Sequence, residues 1–101
     1  MALFTIRVEL HGATSEQYEI LHTSMAVHSY KRFVEGIDAA GAKGYWRLPT
    51  AEYDYQSADD TETAFTVRDK VLVIANAVKP GAWVLVTKSA DRAWSTEKVR
   101  G

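Results

Sequence analysis

The chain has no cysteine, which removes both disulfide stapling and thiolate metal sites and suits a reducing compartment. It has only two prolines and no apolar run near the roughly 20 residues that a membrane-spanning helix needs. The opening Met1-Ala2-Leu3-Phe4-Thr5-Ile6-Arg7 meets a charge too early for the apolar stretch of a signal peptide. A cytoplasmic protein without membrane contact is expected. There is no basic excess either: the formal net charge is −1, which argues against a general nucleic-acid coat, and no DNA partner is expected. Phosphate-binding glycine loops, a nucleophile elbow and an HExxH pair are all missing, so the familiar enzyme classes that depend on them drop out.

What is present is ordinary globular material. The 101 residues are 47% hydrophobic and 25% charged, enough for one domain and one core. Charge is unevenly placed. Glu52, Asp54, Asp59, Asp60 and Glu62 form an acidic stretch, whereas Lys79, Lys88, Arg92, Lys98 and Arg100 outnumber Asp91 and Glu97 toward the end. A solvated surface explains this, and so does a basic end that meets phosphate or an acidic partner.

The first segment alternates: Phe4, Ile6, Val8 and Leu10 share one face, and Thr5, Arg7, Glu9 and His11 the other, the period of a strand with one buried side. Thr14 and Gln17 match a capping box, followed by Tyr18, Leu21, Met25 and His28 at helical spacing, which places a helix at 15–28. An edge strand is expected from Tyr30 to Glu35, a glycine-rich connection over 36–44, and a third strand at Tyr45 to Leu48. Pro49 kinks that strand before extended chain resumes through Tyr55. Asp59, Asp60 and Thr61 signal a second helix, whose stripe is Ala64, Val67, Val71, Ile74, Ala75 and Val78. Lys79-Pro80-Gly81 ends it, and the apolar run Ala82 to Thr87 reads as a buried last strand.

The order is β-α-β-β-α-β. It predicts an α+β, ferredoxin-like sandwich: a four-stranded antiparallel sheet, with the first and third strands central and two helices on one face. Residues 1–88 form the domain and 89–101 a polar tail. The expected core unites Ile6, Val8, Leu21, Met25, Val71, Ile74 and Val84, with Trp46 and Trp83 inside it.

Candidate chemistry is sparse. His22 and His28 stand about 240° apart around a helix, so they cannot share a metal ion. No carboxylate completes a ligand set, so neither metal nor cofactor is expected. Glu52 and Asp54 fall on one strand face and Tyr53 and Tyr55 on the other, a spacing that suits acid–base work or simple charge protection of an edge. Trp94 beside Arg92 is the candidate interface, because aromatics and arginines gather at such surfaces.

The element order, the start Phe4-Thr5-Ile6-Arg7-Val8-Glu9-Leu10, the helix bearing Tyr18 and Met25, and the Ala51-Glu52-Tyr53 stretch together resemble the GhoS-type antitoxins. Those are small endoribonucleases of type V toxin–antitoxin systems that cleave the toxin's messenger RNA. The resemblance implies a ferredoxin-like fold, single-stranded RNA as partner, and cleavage assisted by an arginine on the first helix. No arginine lies between Glu16 and Val27, and His22 falls near that place. His22, with His11 second, is therefore the candidate base, and Arg7, Arg32 and Arg47 the candidate phosphate contacts. A non-catalytic interaction or dimerisation module from a mobile element is the alternative. Either way a homodimer is expected, through Trp94 or the face bearing Arg7.

Overall fold

The computed structural model describes residues 2–37, 40–89 and 98–99. The alternating opening segment forms β1 (Ala2–Glu9), with Ala2, Phe4, Ile6 and Val8 buried and Arg7 and Glu9 exposed. The capping box then starts α1 (Ser15–Val27): the Gln17 amide donates to Thr14 Oγ1 and Gln17 Oε1 accepts from the Thr14 amide. Thr14→Ala should lower stability by about 1 kcal/mol in urea unfolding. An unchanged midpoint would mean the cap is idle. The helix closes with Ser29 at φ 69, its amide donating to Ala26 O and the Tyr30 amide to Met25 O. That pair of bonds is the Schellman stop.

The next strands are β2 (Phe33–Ile37), β3 (Lys43–Arg47) and β4 (Glu52–Ser57), followed by α2 (Ala64–Val78), β5 (Trp83–Ser89) and a short β6 (Lys98–Val99). All pairings are antiparallel, in two three-stranded sheets ordered β4-β1-β5 and β2-β3-β6. The protein is thus a small α+β domain. The expected four-stranded sheet is not present among the described residues, and the reason lies at Pro49. Between β3 and β4 the chain turns, with the Glu52 amide donating to Pro49 O and Ala51 at φ 65, while Ala51 O accepts from the Val8 amide. The kinked third strand is therefore two strands in two sheets. Among the described residues, the fourth place in the main sheet, beside β4, holds only the bridge between Lys31 and Asp54, with amide–carbonyl distances of 2.8 and 2.6 Å.

Phe4, Ile6, Val8, Leu21, Met25, Tyr53, Val67, Val71 and Ala75 make the core between one sheet face and the helices. Of the expected core, Ile6, Val8, Leu21, Met25 and Val71 are buried, while Ile74 and Val84 are partly buried against the cluster. Two expectations are corrected. The cap of α2 is Thr63, bonded with Thr66 in a second capping box, rather than the Asp59-Asp60-Thr61 stretch. Asp59 instead caps its own turn by accepting from the Thr61 amide and hydroxyl. The last strand is not buried on both faces: β5 is an edge strand, Trp83 and Leu85 are 66% and 63% exposed, and Trp83 is outside the core. Among the described residues no helix is long and apolar enough to cross a membrane.

Candidate functional site

His22 follows Leu21 on the inner side of α1, and Tyr53 points from β4 toward the helices because it pairs with the buried Ile6. The two side chains meet with His22 Nδ1 2.6 Å from Tyr53 Oη. Tyr53 is wholly buried and His22 is 7% exposed. Burial raises the Tyr53 phenol far above the ordinary range, so it keeps its proton. Burial, helped by the Arg32 charge and opposed by Glu19, lowers the His22 pKa below 6.5, so the imidazole is neutral at neutral pH. Tyr53 Oη has no other partner among the described residues, so the phenol donates to Nδ1 and the imidazole proton rests on Nε2. Nε2 makes no bond to any described residue, yet none of them leaves a buried side-chain nitrogen or oxygen unpaired. Nε2 therefore reaches solvent.

A histidine whose pKa falls on folding makes stability depend on pH. With the folded pKa below the unfolded value of about 6.5, the contribution is complete above 6.5 and is lost as pH falls through the folded pKa. Urea midpoints of the wild type should drop more between pH 7.5 and 5.5 than those of His22→Gln. Equal drops would remove His22 as the cause.

Arg32 acts electrostatically on both groups. The residue is half-buried; its carbonyl accepts from the Leu48 amide, and its guanidinium makes no hydrogen bond or ion pair with any described residue. Since no described residue leaves a buried side-chain nitrogen unpaired, the guanidinium reaches solvent, where its uncommitted donors can take an anion. Arg7 and Arg47 are also unpaired among the described residues, but exposed. Four other cations are occupied: Lys79 donates to Gly12 O, Lys88 to Asp60 O and Glu62 O, while Arg68 pairs with Asp69 and Lys70 with Glu62.

Thus the structure joins His22 to Tyr53, a residue not anticipated from the sequence, with the Arg32 charge acting on both. The signal for Tyr53 was its strand parity, since a tyrosine on a buried face needs an acceptor for its hydroxyl. His11 is elsewhere, exposed and edge-on to Trp83 with ring centroids 4.3 Å apart. Arg7 projects from the uncovered sheet face, in register with Glu52 and Leu85, and Arg47 lies opposite Phe33 on the hairpin. On the side of the sheet away from the helices Glu52 is half-buried, and Asp54 is buried where the hairpin approaches β4. Trp94 and Arg92 lie outside the described residues. No group of three or more potential metal ligands occurs among the described residues. Comparison with protein-family models, curated proteins and solved structures returns no match.

Proposed function

We propose that this protein is a GhoS-like antitoxin that binds single-stranded messenger RNA and cleaves it without a metal ion, through Arg32, His22 and Tyr53. The observation that carries the reading is an Arg32 guanidinium with no partner among the described residues, whose charge acts on a neutral imidazole with Nε2 open to solvent. Arg32 would hold the scissile phosphate and stabilise the charge that grows on it. His22 would take the 2′-hydroxyl proton at Nε2 once the ring adopts the tautomer in which Nδ1–H donates to Tyr53 Oη. The 2′-oxygen would then bond to phosphorus as the P–O5′ bond breaks, leaving a 2′,3′-cyclic phosphate and a 5′-hydroxyl that takes its proton from the imidazolium or water. A ring that must first exchange tautomers is a modest base, so slow turnover is expected. Arg7 and Arg47 would contact flanking phosphates. A ferredoxin-like arrangement goes with this reading, the divided third strand being a local departure from it.

The test is purified protein with single-stranded RNA in excess EDTA at low salt. Cleavage that survives EDTA and is lost in Arg32→Ala supports the proposal, and intact RNA with no binding sinks it. The alternative, a non-catalytic dimerisation module, is favoured by exposed Trp83 and Leu85 on the uncovered sheet face. In the antitoxin reading a homodimer through that face is also proposed. Sedimentation at micromolar concentration should then give about twice the 11.3 kDa chain mass, and a persistent monomer at higher concentration would exclude it.

A further inference from the structure

On the uncovered side, away from His22, the hairpin and the edge of the main sheet enclose a pocket of about 280 Å³. Lys31, Phe33, Glu35 and Tyr45 line one wall, and Asp54 and Gln56 of β4 the other. Phe33 and Tyr45 stand edge to face, ring centroids 5.5 Å apart, and both remain substantially exposed, Tyr45 at 48%. Glu35 lies directly opposite Tyr45 across the hairpin, and Arg47 directly opposite Phe33. Lys31, Glu35 and Arg47 form no ion pair with any described residue.

We propose that this pocket binds a guanine base of single-stranded RNA and sets the sequence preference of the protein, an inference that rests on the antitoxin reading above. The size suits a single planar heterocycle rather than a larger ligand, since drug-sized pockets start at about 300 Å³. Exposed aromatic rings offer a base a surface to stack on, as sheet-borne aromatics do in single-strand recognition. The polar groups choose among the bases. Guanine alone presents two adjacent N–H donors on its Watson–Crick edge, and these match the two oxygens of the Glu35 carboxylate. Its O6 and N7 accept from a cation such as Lys31. Uracil places carbonyl oxygens on both sides of its single N–H and would be repelled by Glu35. Adenine and cytosine offer one amino group beside an acceptor. Arg47 stands where it can take the neighbouring phosphate without reading the base.

The experiment is calorimetric or NMR titration of the full chain with GMP, AMP, CMP and UMP in turn. GMP should bind at least about 10-fold more tightly than the others, in keeping with the discrimination of one good bidentate base contact. Glu35→Gln should abolish the preference while AMP and CMP affinities stay unchanged, and Tyr45→Ala should weaken all four. Arg47→Ala should weaken all four equally and reduce the salt dependence. Equal affinity for the four nucleotides, no saturable binding at millimolar concentration, or a preference untouched by Glu35→Gln overturns the proposal. The two readings fail separately: RNA cleavage in EDTA without guanine preference removes the pocket assignment alone. GMP selectivity without cleavage removes the ribonuclease alone.

Discussion

Leu21→Ala should destabilise the protein by roughly 2–5 kcal/mol, the range for deleting a fully buried leucine side chain. Leu21 has no exposed surface and packs in the cluster with Phe4, Ile6, Met25, Tyr53 and Val71. The loss combines the transfer of the removed carbons to water with the cavity they leave, because α1 is fixed at both ends and cannot collapse inward freely. Its N-terminal capping box and C-terminal Ser29 turn hold it in place. Val8→Ala should cost less, since fewer carbons are lost. Ile20, its neighbour on α1, is 55% exposed, and Ile20→Ala should change stability by less than about 0.5 kcal/mol. Urea unfolding with a constant m-value checks all three. Equal effects at Leu21 and Ile20 would mean that α1 packs through a different face.

The elements that period and capping specify were readable from residues alone. β1 alternates, Thr14 and Gln17 announce α1, and the 3–4 stripe of α2 selects Val67, Val71 and Ala75 for burial. The misread places share a cause, because their outcome depends on partners distant in sequence. A run such as Trp83-Val84-Leu85-Val86 is apolar on both faces whether or not a second layer covers it, and here the pairing with β1 leaves Trp83 and Leu85 uncovered. Pro49 signalled an interruption. Whether the chain rejoined the same sheet depended on Ala51 adopting a left-handed conformation, which no residue type there announces. At the candidate site, His22 and Arg32 were legible as isolated chemistry. Their electrostatic coupling, the bond to Tyr53 and the lack of a partner for the Arg32 guanidinium among the described residues arise only when α1 and the segment after it pack over β4.

His22→Ala should lower RNA cleavage by about 10²-fold or more, the low end for loss of a general base, while RNA affinity stays near the wild-type value. The pH profile separates a base from a buried polar residue that merely supports the fold. A base works when neutral, and burial and Arg32 hold the His22 pKa below 6.5. The cleavage rate should therefore rise with pH and level off below the point expected for a free imidazole. Arg32→Ala removes one of the two causes of that depression, so its residual activity should titrate at a higher pH than the wild type. It should also bind RNA more weakly and with a flatter salt dependence, because a phosphate contact that releases counterions is gone. Tyr53→Phe gives a third reading. It frees Nδ1 from its only partner at a stability cost of about 1–3 kcal/mol for an unsatisfied buried acceptor, and it removes the phenol that orients the ring. Its rate should fall while its affinity holds. Cleavage by His22→Ala at the wild-type rate, with unfolding showing the variant folded, would show that the imidazole takes no proton from RNA and that the His22–Tyr53 pair serves only the packing of α1 on β4.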